Sequence, residues 1–133
     1  MSRSTRAKIL HFALVALIGF GWLAAARLSW VELQSAQGCP KAGPVPICFV
    51  VLAGYSALAV SLLAPTPWVW VGLLLAGGPA IVGTTLQATV GDACPVGPAG
   101  VPLCYVSLAM VLVFVGLFFG ARRLNRLPAR KSS

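Results

Sequence analysis

Acidic side chains are almost missing from this sequence. Its 133 residues include only two, Glu32 and Asp92, and charged residues of both signs make up 9% of the chain. An ordinary soluble domain contains about 25% charged residues, which cover its surface. A chain with 59% apolar residues cannot cover its surface in that way. The composition therefore predicts a protein that is surrounded mostly by lipid.

Several patterns that support chemistry are also missing. The chain has no phosphate-binding glycine motif, no haem attachment motif, no nucleic-acid-binding module and no nucleophile–base–acid set. Its apolar segments contain almost no ionisable groups, which argues against an ion pump or a proton relay. The single histidine, His11, is far from the cysteines, whose spacings do not match the short spacing of zinc ligands. We therefore predict no metal site.

The net charge of +8 would suggest a nucleic-acid partner if the basic residues lay along one folded surface. Instead, eight of the ten lysines and arginines lie in two terminal segments, residues 1–8 and 122–133. These segments flank the apolar body of the chain. The charge therefore carries information about topology, and we predict no nucleic-acid partner.

Four apolar segments are long enough to cross a bilayer, which takes about 20 predominantly apolar residues per helix. They comprise residues 9–26, 45–63, 68–90 and 101–121. Prolines and glycines interrupt the sequence between them, as expected for connections. The sequence therefore predicts an all-α membrane protein, a single four-transmembrane-helix bundle with basic cytoplasmic tails at 1–8 and 122–133.

The distribution of charge also predicts the orientation, because lysine and arginine favour the cytoplasmic side of a membrane. With both tails inside, Arg27 and Lys41 are the only basic residues outside, and Glu32 and Asp92 offset them. We expect a multi-pass protein of the bacterial inner membrane with both termini in the cytoplasm. An alternative is that the first span is a signal peptide cleaved near Ala24–Ala26.

The two long outer connections resemble each other. The first reads CPKAGPVPICF from Cys39, and the second reads CPVGPAGVPLCY from Cys94. With one inserted residue, both contain Cys-Pro, a Gly/Pro linker, Val-Pro, an aliphatic residue, cysteine and an aromatic residue. Because both copies have the same orientation, the pattern predicts two helix-pair repeats related by a pseudo-twofold axis along the membrane normal.

The four cysteines lie on the outer side in this topology, where the environment is oxidising. Local pairing would form Cys39–Cys48 and Cys94–Cys104, and pairing between the loops is equally compatible with the sequence. The disulfides would then be structural staples for loops that lack a core. Alternatively they are redox-active, because Cys48 and Cys104 start helices whose dipoles lower a thiol pKa. Metal binding by all four thiolates is a third alternative.

Polar side chains cluster at the outer end of the third span, and two glutamines lie at the matching level of the first half. Together with the loops, we expect them to surround a shallow pocket that opens outward. The residues are Thr84, Thr85, Gln87 and Thr89, with Gln34 and Gln37.

The segment from Val45 to Tyr55, VPICFVVLAGY, resembles the proline, glycine and tyrosine pattern that opens the second helix in bacterial members of the vitamin K epoxide reductase family. DACPV from Asp92 and LCYVS from Leu103 resemble pieces of the segment that carries the active cysteines. The order of spans and cysteines is also similar to that of the DsbB family. Those enzymes contain a close Cys-x-x-Cys pair, whereas nine residues separate Cys94 from Cys104 here.

Members of these families pass electrons from thiols to a quinone. The resemblance implies that Cys39 and Cys48 shuttle electrons from a periplasmic thiol protein. It further implies that Cys94 and Cys104 form the pair next to a quinone cofactor.

The sequence leaves three functions open. The first is a thiol–disulfide redox protein in which all four cysteines are catalytic. The second is a non-catalytic, disulfide-stapled accessory or assembly subunit of a larger membrane complex, which would have other membrane subunits as partners. The third is a small-molecule transporter or carrier, suggested by the helix-pair repeat and by a kink expected at Gly77-Gly78-Pro79 in the third span.

Overall fold

The computed structural model describes residues 2–36, 39–64 and 67–126, except for the side chain of Ala42. These residues form four helices and one short hairpin. The helices are α1 (Arg3–Ser35), α2 (Ile47–Ser61), α3 (Pro67–Val90) and α4 (Leu103–Arg126). The hairpin joins α1 to α2 and consists of the antiparallel strands β1 (Lys41–Ala42) and β2 (Val45–Pro46). The fold is all-α in its long elements, as predicted.

The helices form a closed ring. Those that follow each other in the chain pack side by side, and α1 also packs against α4. Short connections between helices favour this antiparallel arrangement of neighbours. Each helix contributes to one shared core, which includes Leu14, Ile18, Tyr55, Leu58, Val69, Ala76, Val111 and Phe114.

The outward faces of the bundle are also apolar. Phe12, Leu63, Leu74 and Leu112 have 74%, 93%, 73% and 62% of their surfaces exposed. Exposing apolar area to water costs about 25 cal/mol per Å², so an extended surface of this kind is unfavourable in water. By length and composition, α1, α3 and α4 could each cross a membrane, and α2 is a shorter apolar helix.

α1 and α4 extend beyond the predicted spans into the basic segments. Ser2 caps α1 by accepting a hydrogen bond from the Thr5 N–H at 3.2 Å, which satisfies one of the free donors of the first turn. At the other end of the chain, α4 continues to Arg126. Both predicted tails are therefore helical within the described part of the chain, and residues 127–133 lie outside it.

α2 is shorter than the predicted span 45–63. Val45 and Pro46 pair in the hairpin, so the helix starts only at Ile47, and it ends at Ser61. Its 15 residues make it about 22 Å long, less than the hydrocarbon thickness of about 30 Å. The hairpin lies beside the last turns of α1, where Lys41 Nζ is 3.7 Å from Glu32 Oε1.

Two glycines allow α2 and α3 to approach closely. A Cβ atom at Gly54 of α2 would lie 2.6 Å from the backbone nitrogen of Ala76, and one at Gly72 of α3 would lie 2.6 Å from Leu58 Cγ. Small residues let helix backbones come together in this way. The first contact is with backbone atoms, so a side chain there cannot be accommodated by a rotamer change.

We predict that Gly54→Ala lowers the stability of the bundle by about 1–3 kcal/mol, because it overpacks the α2–α3 interface. Gly116→Ala in α4 is the control, since a Cβ there meets nothing within 4 Å and alanine favours the helix. Thermal unfolding in detergent, followed by circular dichroism, would measure both. Equal melting temperatures for the two variants would contradict the packing argument.

Candidate functional site

The structure pairs the cysteines locally. The Cα atoms of Cys39 and Cys48 are 6.0 Å apart, and those of Cys94 and Cys104 are 6.1 Å apart, with each pair joined as a disulfide. These separations fall within the range that a disulfide can bridge without backbone movement. Of the pairings that the sequence left open, the structure therefore contains the local one.

Each disulfide includes the second residue of a helix. Cys48 follows Ile47 at the start of α2, and Cys104 follows Leu103 at the start of α4. The sequence predicted both positions. A thiolate formed at either cysteine would be stabilised by the positive end of the helix dipole.

A side chain seven residues earlier holds the first cysteine of each pair. Glu32 Oε2 in α1 accepts a hydrogen bond from the Cys39 N–H at 3.1 Å. In the second half, Gln87 Oε1 in α3 accepts one from the Cys94 N–H at 2.9 Å. Each hydrogen bond fixes the start of a loop against the helix that precedes it.

The two preceding helices also end in the same way. The Ala36 N–H donates to Glu32 O at 2.8 Å, and the Gly91 N–H donates to Gln87 O at 3.1 Å. Both donors have left-handed backbone conformations, with φ values of 52° and 92°. This conformation terminates a helix and redirects the chain. Glycine adopts it at little cost, whereas alanine does not.

The loops then close with equivalent backbone hydrogen bonds. The Ile47 N–H donates to Pro40 O at 3.1 Å, and the Leu103 N–H donates to Pro95 O at 3.0 Å. The first loop contains the β1–β2 hairpin, and the second contains an isolated antiparallel bridge at the corresponding place. The inserted residue of the second loop is accommodated between these shared features.

The two loops differ in charge. Glu32 is only 5% exposed and forms an ion pair with Lys41 in addition to its hydrogen bond with Cys39. Its counterpart Gln87 is neutral, and its side-chain amide donates to Gly91 O. Burying a carboxylate is costly unless it is paired and hydrogen-bonded, as it is here.

An apolar cavity of about 220 Å³ lies between the helices, next to both disulfides. Cys48 and Cys104 line it, together with Pro40 and Pro95, which follow the other two cysteines. An apolar cavity of roughly 150 Å³ can bind benzene. This cavity is therefore large enough for a substituted six-membered ring.

Two hydroxyl groups bring polarity to the wall of this cavity. Tyr55 of α2 is buried, and it lines the cavity together with Ser107 of α4. The Tyr55 ring packs against α1 at Gly21, where an added Cβ atom would overlap it. On the α3 side, Pro79 lines the cavity from within an unbroken helix.

The polar pocket expected at the outer end differs from the structure. Serine and threonine hydroxyls in helices can bond to carbonyl groups one turn earlier. The hydroxyls of Thr84, Thr85 and Thr89 donate to α3 carbonyl groups in this way. Gln34 is exposed, and Gln37 lies outside the described residues. The space beside the disulfides is apolar instead.

The hydrogen bonds from Cys39 and Cys94 to the side chains of Glu32 and Gln87 were not predicted from the sequence. The signal was present, because each lies seven residues before the first cysteine of its loop. Aligning the two loops farther upstream would have paired them. Segments of all four helices line the cavity with Cys48 and Cys104. Their proximity could not be predicted by comparing the loop sequences, because it depends on helix packing.

Gly83 of α3 packs directly against the second disulfide. A Cβ atom there would lie 2.7 Å from Cys104 Sγ and 3.4 Å from Cys94 Sγ. We predict that Gly83→Ala displaces this disulfide and speeds its reduction by dithiothreitol, whereas the Cys39–Cys48 disulfide keeps its wild-type rate. Alkylation and peptide mass spectrometry would measure both rates, with Gly116→Ala, where a Cβ meets nothing within 4 Å, as the control. Unchanged reduction of Cys94–Cys104 would show that the contact is unimportant.

The Glu32 and Gln87 hydrogen bonds can be tested by matched substitutions. We expect Glu32→Ala and Gln87→Ala each to destabilise the protein by about 1–3 kcal/mol, because a part-buried N–H loses its acceptor. Glu32→Gln should cost less, since it keeps an acceptor oxygen, and its ion pair is with the half-exposed Lys41. Thermal unfolding would rank the variants. A Glu32→Gln effect as large as that of Glu32→Ala would attribute the stability to charge.

Comparison of this chain with protein-family models, with curated proteins and with solved structures finds no match. A functional interpretation therefore depends on the two disulfides, on the hydrogen bonds that hold their loops and on the cavity beside them.

Proposed function

We propose that this chain is an integral protein of the bacterial inner membrane, with four membrane-spanning helices and both termini in the cytoplasm. Its apolar outward faces support insertion into lipid. Basic residues at the start of α1 and the end of α4 lie at one end of the bundle, whereas the paired charges of Glu32 and Lys41 lie at the other. This asymmetry favours the disulfide loops on the periplasmic side.

The bundle is proposed to consist of two copies of one helix pair. The equivalent hydrogen bonds of the two loops support this, and so does burial. When the loops are aligned on their first cysteines, the buried residues of α1 and α3 coincide at three positions, namely Leu14 with Val69, Gly21 with Ala76, and Ala25 with Ala80. α2 and α4 each start one residue before the second cysteine of the loop.

The function that this site supports best is thiol–disulfide redox chemistry coupled to an apolar electron acceptor. One observation carries the proposal: the helix-start cysteine of each disulfide, Cys48 and Cys104, lines the same apolar cavity. A lipid-soluble ring compound in the cavity would be next to both sulfurs. The resemblance to quinone-coupled thiol oxidoreductases supports a quinone as the acceptor.

The reaction begins outside the cavity. A thiolate of a periplasmic protein attacks the Cys39–Cys48 disulfide at Cys39, which is partly exposed, whereas Cys48 and Cys94 are buried. Cys48 leaves as a thiolate at the start of α2, where the helix dipole stabilises it. The partner's second thiol resolves the mixed disulfide and releases Cys39. The partner has then lost two electrons and two protons, and Cys39 and Cys48 are both thiols.

The electrons then leave through the cavity. Exchange with Cys94–Cys104 transfers the two electrons and two protons to the second pair, as the resemblance implies. A quinone in the cavity would accept two electrons and two protons from the Cys94 and Cys104 thiols, and their disulfide would re-form. Tyr55 and Ser107, which line the cavity, would supply polar groups for its ring oxygens.

A redox titration tests this proposal. In the folded protein, at least one disulfide should equilibrate with a glutathione buffer whose redox potential is set near that of the periplasm or the secretory pathway. Cys104→Ser should abolish thiol-dependent quinone reduction, while circular dichroism shows an intact bundle. Ala109→Ser, an exposed site on α4, provides a control for an added hydroxyl. The redox function is wrong if both disulfides resist reduction until the protein is denatured.

The second candidate is a disulfide-stapled subunit of a larger membrane complex. The two loops have the same structure and are held by equivalent hydrogen bonds. This similarity is as compatible with two structural staples as it is with two redox centres. This candidate predicts stable partners after extraction in mild detergent. A solitary monodisperse monomer with exchangeable disulfides would exclude it.

A further inference from the structure

The fold brings together the basic residues of two distant parts of the chain. The start of α1 carries Arg3, Arg6 and Lys8, and the end of α4 carries Arg122, Arg123 and Arg126. These two helices pack against each other. The two acidic residues of the sequence, Glu32 and Asp92, belong to the opposite end, so neither can neutralise this cluster.

A second cavity, of about 210 Å³, lies between these helix ends. Leu10, Leu14 and Leu124 supply apolar walls, and His11 and Asn125 supply polar groups. Arg3 lies one helical turn before Ala7, and Arg6 lies one turn before Leu10, so each arginine neighbours a residue that lines the cavity. The cavity therefore has an apolar interior and a basic edge.

Charge at this edge favours an anion. The first turn of α1 contains no acidic residue, so its free N–H groups and positive dipole end add to the arginine charges. Arg122 lies over the Phe118 ring, 4.6 Å from its centroid. Arg123 and Arg126, in the last turn of α4, are exposed.

We propose that the cavity between the start of α1 and the end of α4 binds an anionic phospholipid. The headgroup phosphate lies beside Arg3 and Arg6 at the start of α1, and the upper part of an acyl chain lies along the leucines. The leucine walls favour a lipid over a soluble anion, which has no apolar part to bury. The inference requires the membrane insertion proposed above and is independent of the redox function.

Native mass spectrometry of the purified protein in detergent would test the site, with phosphatidylglycerol and phosphatidylcholine of equal chain length as probes. Phosphatidylglycerol should bind at least about tenfold more tightly. An arginine near an anionic lipid surface contributes a factor of about five, so Arg3→Gln with Arg6→Gln should remove most of the preference. Arg123→Gln with Arg126→Gln, on the face of α4 that points away from the cavity, should remove less of it. Arg27→Gln, an exposed arginine of α1 at the other end, should leave it unchanged.

Three results would overturn the proposal. Equal affinities for the two lipids would show no anionic site, and an equal loss in Arg27→Gln would indicate unspecific attraction. Complete competition by millimolar inorganic phosphate would identify a soluble-anion site instead. Carbonate extraction of membranes separates failure of this site from failure of insertion, because only a protein without membrane-spanning helices is released. Circular dichroism confirms that each variant remains folded.

Discussion

The arrangement at the disulfide end depends on a covalent link between each loop and the helix that follows it. Neither loop has a hydrophobic core of its own, and each consists largely of proline, glycine and small residues. The disulfides join Cys39 to the start of α2 and Cys94 to the start of α4. The loops are fixed there, and Pro40 and Pro95 line the apolar cavity beside the sulfurs.

The helices themselves are held by a different constraint. Apolar side chains face both the core and the outside, so burial alone does not distinguish one face of a helix from another. Shape distinguishes them instead. Gly54 and Gly72 permit backbone contact between α2 and α3, Gly21 admits the Tyr55 ring, and Gly83 admits the second disulfide. These small residues determine which faces meet, as expected where lipid is as apolar as the core.

The sequence predicted those features that depend on local composition. Apolar length located the four helices, and loop similarity placed Cys48 and Cys104 at helix starts. The shortened start of α2 was missed, because Val45 and Pro46 are apolar but pair in a hairpin. Likewise, the buried position of Glu32 depends on the continuation of α1 to Ser35, two turns past the apolar stretch. The cavity could not be predicted, since it requires the packing of all four helices.

The hydrogen bonds around each disulfide would keep its two cysteines close together if the disulfide were reduced. Breaking the Cys39–Cys48 bond leaves the Glu32 hydrogen bond to Cys39 and the Ile47 hydrogen bond to Pro40 in place. The same holds for Gln87 and Leu103 in the second loop. The two thiols of a pair therefore remain neighbours at a high effective concentration. Closure of a reduced pair would then need little reordering of the loop.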